Sequence, residues 1–397
     1  MKVTLHSQKD GKAKRALSLD LARGAMLLLI ALAHAPLYLY TSEPGIMQRV
    51  EAVNSFDQIV NLIGLFLIDN RARAMFAVLL GYGFVLAYES QLSRGKTEKA
   101  AIKTIRRRSW YLILFGVFLA VIIGGQDILM AYGIAGLIVC GLLKRKIKTL
   151  IRTFVFITLF YAATVPIAWG FNMQEIGGYG FPPEVSATDT YLDTAFAALL
   201  SFPITPLLIY IMFPILPSVL LGMWMAKYRL LTEPEQRLKT LYVMTFTGLS
   251  VSLAGALPLS LLGTVWHPGF FTAGVMNGLH ILTGIAGGLA YAALFGIIGA
   301  KVVVPGRFTL SLSALGKRSL TFYIWNEAML VLLLSPAALD LGGKVSNGMV
   351  AVIAVLVWLF SLLLATVLEK QHLNGPMEVL LRKLVYKNKQ KKPPGGS

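Results

Sequence analysis

Residues 17–40 read LSLDLARGAMLLLIALAHAPLYLY, an apolar stretch long enough to cross a bilayer as one helix. Asp20 and Arg23 stand near its start, and His34 lies well inside the apolar run. Arg23 and His34 are separated by about three full helical turns, so both project from one face, roughly 16 Å apart along the axis. Because an ionisable residue at that depth is costly in lipid, we predict that His34 is functional rather than only packed.

The composition is that of a protein that crosses the membrane several times. Of the 397 residues, 56% are hydrophobic and only 14% are charged. The net charge is +18, but Lys and Arg lie in loops between apolar segments, so we predict membrane lipids and no nucleic acid as partners. Cys140, the only cysteine, lies in an apolar run, which excludes a disulfide framework, and no metal site is predicted.

The apolar segments predict an all-α, polytopic integral membrane protein with about ten transmembrane helices. The spans are expected at 17–40, 72–88, 109–123, 128–143, 147–170, 194–226, 241–262, 270–299, 319–335 and 348–368. The span at 194–226 contains four prolines, so we expect a broken helix with an extra re-entrant or interfacial piece. The stretches 89–108, 171–190 and 301–318 are predicted to be loops.

The distribution of positive charge sets the topology. The apolar segment 56–68 is too short to span comfortably. If it stays on one side, both termini are cytoplasmic and all but four of the 37 Lys and Arg residues face the cytoplasm. The exceptions are Arg49, Arg71, Arg73 and Lys344. We therefore predict a re-entrant or surface helix at 56–68 on the outer side, and one transmembrane domain, 17–368, between basic cytoplasmic tails at 1–16 and 369–397.

Several carboxylates could complete a catalytic site with His34. Histidine and a carboxylate form the usual general-base pair, because the carboxylate fixes the tautomer and stabilises the imidazolium. Asp127, Asp69 and Glu327 are the candidates, and the sequence does not choose between them. The structural alternative for Asp127 is a helix cap beside Gly124-Gly125, and for Glu327 it is a buried pair with a lysine or arginine.

Other polar residues are candidates for binding substrate or cofactor. Asp69 and Arg73 open a span from the outer side, and His280 lies at middle depth, so we predict substrate contacts for these three, with a structural role as the alternative for His280. The run Arg106, Arg107 and Arg108 either marks topology or binds the phosphates of an anionic cofactor. No nucleotide-binding or serine-hydrolase motif is present.

Five motifs resemble one family of membrane proteins. They are LDLARG, IDNRARAMFAVLLGYGF, DILMAYGIAGLI, GKRSLTFYIWNEAML and LEKQHLNGPMEVLLRKLVY. They resemble the YeiB-like family, whose C-terminal half is domain of unknown function 418. The most specific piece is Gly375-Pro376-Met377-Glu378 followed by Leu381-Arg382. That family is similar to the transmembrane acyltransferase group, which includes the acyltransferase-3 family and the lysosomal glucosaminide acetyltransferase.

The resemblance to acyltransferase-3 proteins extends to single residues. Those proteins carry an arginine, ten residues and a histidine in their first helix, a spacing that Arg23 and His34 match, and FAVLLGYGF followed by Arg106–Arg108 is similar to their next span. Many YeiB-like proteins have asparagine at the position of His34, so the histidine favours an enzyme here. The resemblance implies that His34 is the general base and that Arg23 and Arg106–Arg108 bind cytoplasmic acyl-CoA, with acetyl-CoA the expected donor.

The function predicted on this basis is acyl transfer from acyl-CoA to a hydroxyl or amine of a small-molecule, lipid or glycan acceptor. The expected location is the bacterial inner membrane, and a homodimer is left open. One alternative is a transporter or flippase that uses the same buried polar residues. A second alternative is a non-catalytic membrane scaffold.

Overall fold

The computed structural model of the protein describes residues 16–40 and 43–386, and in these ranges the chain is helical apart from turns and isolated β-bridges. The predicted all-α fold is confirmed for this part. The α-helices are α1 (Leu17–His34), α2 (Ser55–Ile63), α3 (Arg71–Leu92), α4 (Glu98–Val117), α5 (Leu129–Val139), α6 (Ile147–Ile176), α7 (Tyr191–Ser201), α8 (Thr205–Met212), α9 (Ile215–Lys227), α10 (Leu238–Ser260), α11 (Phe270–Lys301), α12 (Arg307–Lys317), α13 (Ser319–Leu334), α14 (Asn347–Lys370) and α15 (Pro376–Val385).

Short 3-10 or π segments extend some of the helices. They are Ala35–Tyr38 after α1, Gly64–Ile68 after α2, Phe118–Ile123 after α4, Cys140–Leu142 after α5 and Pro234–Arg237 before α10. Of the predicted basic tails, residues 1–15 and 387–397 lie outside the described ranges. The described part of the C-terminal tail contains α15, which is an amphipathic helix.

Within the described residues, five helices are long and apolar enough to cross a membrane, which confirms the multi-pass character. They are Leu17–Tyr38, Ile147–Ile176, Pro234–Ser260, Phe270–Lys301 and Asn347–Lys370. A sixth span results if α7 and α8, which are bent by 67° at their junction, are one broken helix. The bend lies beside Pro203, where a break was predicted. The count of about ten crossings stays a prediction.

Two stretches predicted to be loops are largely helical. In the segment 89–108, α3 continues to Leu92 and α4 begins at Glu98, behind Thr97, whose hydroxyl accepts a hydrogen bond from the Ala100 amide at 3.3 Å. In the segment 301–318, α12 buries Leu312 and Leu315 and packs against α1. Charged residues mark both stretches, but charge alone does not prevent a capped or amphipathic helix from forming.

The segment 56–68 lies on the surface of the bundle, as predicted. Asn54 caps α2 by accepting a hydrogen bond from the Asp57 amide at 2.9 Å. The Asp57 carboxylate in turn accepts hydrogen bonds at 2.7 Å from the Ser346 hydroxyl and the Gly348 amide, at the start of α14. Apolar side chains such as Ile59 remain exposed. The segment is absent from the helices that could cross a membrane within the described residues.

Contacts between distant segments sort the chain into two ends. At one end the segments predicted to be cytoplasmic meet: Ser18 bonds to Leu231, and Arg318 and Lys317 pair with Glu369. At the other end the segments predicted to be external meet. Tyr179 donates to the Pro268 carbonyl at 2.6 Å, and the Asn347 amide donates to the Val50 carbonyl at 2.7 Å. We call these the inner and outer ends. This sorting agrees with the topology expected from the charge pattern.

The helix α1 is central to the packing and carries the predicted site residues from one end to the other. It contacts α3, α11, α12, α13 and α14. Trp358 of α14 donates to the Gly24 carbonyl of α1 at 3.0 Å. The helices α3 and α9 approach each other closely, because a Cβ on Gly81 or Gly222 would overlap the facing backbone. This arrangement holds Arg23 at the inner end and His34 toward the outer end.

Candidate functional site

A cavity of about 670 Å³ at the outer side of the bundle contains several of the predicted site residues. We call it the outer cavity. His34, Asp69, Arg73 and Asp127 line it, although they come from three separate parts of the chain. The helices α7 and α8 form a further wall. The fold therefore brings together four residues that were singled out by residue type alone.

His34 forms a short hydrogen bond with the carboxylate of Glu327. Its Nδ1 lies 2.7 Å from Glu327 Oε1, with 12% of the His34 side chain exposed and none of the Glu327 side chain. His34 is the last residue of α1, and Glu327 lies in the middle of α13. Tyr38 donates a hydrogen bond from its hydroxyl to Glu327 Oε2 at 3.4 Å. The buried carboxylate is thus shared between two side chains of the first helical segment.

This geometry specifies which imidazole nitrogen is available for chemistry. An ionised carboxylate can only accept hydrogen bonds, so Nδ1 of His34 carries the proton toward Glu327. The other nitrogen, Nε2, is then unprotonated and can accept a proton. His34 lines the outer cavity, so a molecule bound there lies against this residue. The arrangement can act as a general base whose imidazolium form is stabilised by Glu327.

The other two candidate carboxylates have different partners. Asp127 accepts hydrogen bonds from the amides of Leu129 at 2.8 Å and Met130 at 3.0 Å, so it caps the start of α5 while lining the outer cavity. Asp69 is paired with Arg49, whose guanidinium donates at 2.9 and 3.2 Å. Of the three carboxylates that the sequence left open, Glu327 is the one that contacts His34.

Two tyrosines that the sequence analysis did not select form hydrogen bonds with the backbone of residues 126–128, close to the His34–Glu327 pair. The Gln126 amide donates to the Tyr38 hydroxyl at 3.1 Å. The Tyr323 hydroxyl donates to the Gln126 carbonyl at 2.8 Å and accepts from the Ile128 amide at 3.2 Å. Tyr38 follows His34 by four residues and Tyr323 precedes Glu327 by four, so the helical i, i+4 spacing was a signal that could have found both.

The predicted substrate residues divide between the outer cavity and the bundle interior. Arg73 lines the outer cavity, with its guanidinium 3.7 Å from the centre of the Phe213 ring. His280 is buried, bonds to Arg71 and Asn70, and is absent from the lining of the cavity. Arg71 also donates to the carbonyls of Leu65 at 2.8 Å and Ser252 at 2.7 Å. The structure thus places His280 in a buried network, which is the structural alternative stated for it.

A second cavity, of about 360 Å³, lies at the inner end. We call it the inner cavity. Its lining includes Arg23 and Arg108, as well as Lys317 and Arg382, which the sequence analysis did not select. Glu378 is the acidic residue in this lining. Such a concentration of positive charge favours an anionic ligand.

The three consecutive arginines, Arg106 to Arg108, have different surroundings. Arg108 lines the inner cavity, and its buried Nε has no hydrogen-bond partner among the described residues. Arg106 instead donates to Cys140 Sγ at 3.4 Å, and Arg107 lies 5.9 Å from the ring of Tyr111. Neither is part of the cavity lining. Of the predicted phosphate-binding run, the structure brings Arg108 together with Arg23.

An aromatic layer separates the two cavities. The rings of Phe76 and Tyr132 are nearly perpendicular, with centroids 4.7 Å apart, and Phe76 and Tyr323 stack at 6.2 Å. All three residues line the inner cavity, and Tyr132 lines the outer cavity as well. We call this the aromatic layer. A ligand that reached from Arg108 to His34 would have to pass it.

The motif at 375–382, the most specific piece of the family resemblance, forms one wall of the inner cavity. Pro376 begins α15, and Glu378 accepts hydrogen bonds from the Leu320 amide at 2.8 Å and the Thr321 hydroxyl at 2.5 Å, at the start of α13. Leu381 and Arg382 then line the cavity. The motif therefore docks an amphipathic helix against the helix that carries Glu327.

Comparison with known proteins identifies a family for the second half of the chain. Residues 225–388 match the family model described as "Protein of unknown function (DUF418)". This range contains Glu327 and α15 but neither His34 nor Arg108. No curated protein matches the chain. The predicted resemblance to this family is confirmed over the matched range, and the similarity to acyltransferases stays a prediction.

Proposed function

We propose that this chain, whose residues 225–388 match the DUF418 family model, is a transmembrane acyltransferase. It takes an acyl group from cytoplasmic acyl-CoA and delivers it to a hydroxyl or amine acceptor in the outer cavity. The single observation that carries the proposal is the His34–Glu327 pair, 2.7 Å apart and open to a cavity on the His34 side. A buried histidine–carboxylate pair facing a cavity is the usual arrangement of a general base.

The topology that suits this function has about ten crossings, with both termini in the cytoplasm of a bacterial cell and the chain in its inner membrane. The helices α3 and α4 and the short apolar helices α5, α9 and α13 then cross together with the five longer helices. The clustering of Lys and Arg segments at the inner end supports this orientation. It makes the inner cavity cytoplasmic and the outer cavity external.

The inner cavity suits the phosphate-bearing end of acyl-CoA. Arg23, Arg108, Lys317 and Arg382 supply positive charge, and the Nε of Arg108, which has no partner among the described residues, supplies a buried donor. Guanidinium groups bind phosphates through charge-assisted hydrogen bonds. The roughly 16 Å between Arg23 and His34 along the helix axis fits a long, thin arm that carries the thioester past the aromatic layer.

The chemistry at His34 is a direct transfer. Nε2 accepts the proton from the acceptor as its oxygen or nitrogen attacks the thioester carbonyl. The new carbon–oxygen or carbon–nitrogen bond forms, the carbon–sulfur bond breaks, and the sulfur leaves with the proton from the imidazolium. Glu327 stabilises that imidazolium. Asp127 maintains the cavity wall by capping α5, and Tyr38 and Tyr323 position the Gln126–Ile128 segment beside it.

Release of free CoA from acetyl-CoA by the purified protein in proteoliposomes tests the proposal. His34→Ala is expected to lower the initial rate by about 100-fold or more, within the range that general-base catalysis contributes. His267→Ala is the matched control, because His267 lies in an exposed loop. Wild-type protein that releases no CoA from acetyl-CoA or from longer acyl-CoA esters, with hydroxyl- and amine-bearing acceptors present, would exclude the acyltransferase.

A transporter is the second candidate, and one observation favours it. Two cavities at opposite ends, separated by a thin aromatic layer, are also the arrangement of an alternating-access carrier. Such a carrier would move substrate across proteoliposomes in a pH gradient, would depend on His34, and would need no CoA. Uptake under those conditions, without CoA release, would favour the transporter over the enzyme.

A further inference from the structure

The wall formed by α7 and α8 has two chemically different faces. Most side chains that line the outer cavity are small or hydroxyl-bearing, namely Thr194, Ala197, Ala198, Ser201 and Thr205, and the others are Asp193, Phe202 and Ile209. Side chains on the exterior are large and apolar: Leu192, Phe196, Leu199, Leu200 and Leu207. No residue of either helix is buried. The wall between the outer cavity and the surrounding medium is therefore a single helix thick.

This wall is attached mainly at its ends. Tyr191 donates to the Ile122 carbonyl at 2.7 Å at its start, and Tyr210 donates to the Ala131 carbonyl at 2.5 Å near its end. Between them, among the described residues, the side-chain hydrogen bonds of residues 192–209 stay within the wall and the turn that precedes it. The 67° bend interrupts the backbone hydrogen bonds in the same stretch. Residues 192–209 of the wall can therefore move sideways without breaking side-chain hydrogen bonds to other helices.

The charges around the outer cavity restrict what can enter it. Asp127, Glu184, Asp189 and Asp193 line it, and they face one guanidinium, that of Arg73. The fifth carboxylate, Asp69, is already paired with Arg49. An anionic headgroup would be repelled by this surplus of carboxylates, whereas a hydroxyl or an amine would not. Both of these are groups that His34 could deprotonate.

We propose that the acceptor is a membrane amphiphile whose headgroup carries no net negative charge and which enters the outer cavity sideways past α7 and α8. The headgroup lies beside His34, and the hydrocarbon chain passes the small side chains around Ala197 into the bilayer. An exterior lined with large apolar residues is stable only against hydrocarbon, so the chain leaves the cavity without meeting water. This inference rests on the acyltransferase proposed above.

Lipid-chain quenching of a fluorophore on either face of the wall tests this proposal. Ala197→Cys and Leu200→Cys are made in a Cys140→Ser background, which leaves one labelling site, and each is labelled with bimane in phosphatidylcholine proteoliposomes. A doxyl-stearoyl monoacylglycerol, uncharged and hydroxyl-bearing, is the probe. The expected result is a similar loss of fluorescence at positions 197 and 200. Loss at position 200 alone would overturn lateral entry.

A second probe and a second pair of positions separate charge from access. Doxyl-stearate, the anionic counterpart, is expected to quench position 200 and not position 197. Equal quenching at 197 by both probes would overturn the charge restriction. Ser201→Cys and Leu208→Cys repeat the comparison on α7 and α8, since Ser201 lines the cavity and Leu208 faces the exterior. We expect the uncharged probe to quench both position 201 and position 208, and the anionic probe to quench position 208 alone.

The quenching experiment is independent of catalysis. It needs no acyl-CoA and no turnover, so a protein that releases no CoA would refute the proposed function and leave the quenching result readable. Conversely, His34-dependent CoA release with no quenching at positions 197 and 201 would support the acyltransferase and refute lateral entry of the acceptor. In that case the acceptor would be a water-soluble molecule.

Discussion

Glu327 is a fully buried carboxylate in the interior of the bundle, where an unpaired charge would be unstable. His34 and Tyr38 supply its hydrogen bonds from the end of α1. The pair could not be predicted as such, because its two residues lie on helices at opposite ends of the chain, and the sequence offered three carboxylates of equal standing. The residue types and their approximate depth were nevertheless sufficient to select both members.

Substitution of Glu327 by Gln tests its role in stabilising the imidazolium. The amide keeps the size and one hydrogen-bond acceptor but carries no charge, so the protonated form of His34 loses its stabilisation. We expect CoA release to fall by about 100-fold while the variant elutes as a folded protein in size-exclusion chromatography. A Glu327→Gln protein that is folded and fully active would show that the pair is only structural.

The arginine run offers an internal comparison at the level of single residues. Arg108 lines the inner cavity with an unpartnered Nε, whereas the neighbouring Arg107 does not line it. Loss of one charge-assisted hydrogen bond costs about 1.5–3 kcal/mol, so Arg108→Ala is expected to raise the KM for acetyl-CoA by about 10-fold or more. Arg107→Ala should leave the KM unchanged. Equal effects of both substitutions would contradict phosphate binding by Arg108.

At the scale of elements, the packing of α3 against α9 depends on two glycines. A Cβ at Gly222 would overlap the Val78 carbonyl, whereas a Cβ at Gly141 would meet no atom within 4 Å. We expect Gly222→Ala to lower the temperature of thermal unfolding in detergent, since overpacking costs about 1–3 kcal/mol. Gly141→Ala, the control, should leave it within error. An unchanged Gly222→Ala protein would show that these helices tolerate separation.

Most helices could be predicted from apolar length, and the exceptions have physical causes. The helices α6, α10, α11 and α14 coincide with predicted spans because long apolar runs have few other stable conformations in lipid. The helix α12 was missed because its burial comes from contact with α1, which no local pattern reveals. The π segments that extend α2 and α4 also carry no signal in composition.

Binding of CoA in the inner cavity depends on which end of the whole bundle faces the cytoplasm. Two exposed valines make matched reporters, since Val265 at the outer end is 80% exposed and Val303 at the inner end is 91% exposed. In a Cys140→Ser background, we expect Val265→Cys to react with a membrane-impermeant maleimide on intact cells. Val303→Cys should react only after permeabilisation. The reverse pattern would invert the orientation and remove cytoplasmic CoA from the inner cavity.

The two cavities were only partly foreseen. The stripe from Arg23 to His34 predicted a donor end and an acceptor end, and the inner and outer cavities lie at those ends. The aromatic layer between them was not predicted, because Phe76, Tyr132 and Tyr323 come from three helices and resemble ordinary core residues in sequence. Its position makes it the point at which donor and acceptor sites would communicate.

The proposed acyl transfer requires that CoA bound in the basic inner cavity extends past the aromatic layer to His34. The most direct test is a cryo-electron microscopy map of the protein with CoA bound. We predict density for the phosphates beside Arg23 and Arg108, with the thiol arm passing the aromatic layer so that the sulfur lies near His34 Nε2. An inner cavity that stays empty at saturating CoA, or CoA bound on another surface, would contradict the account.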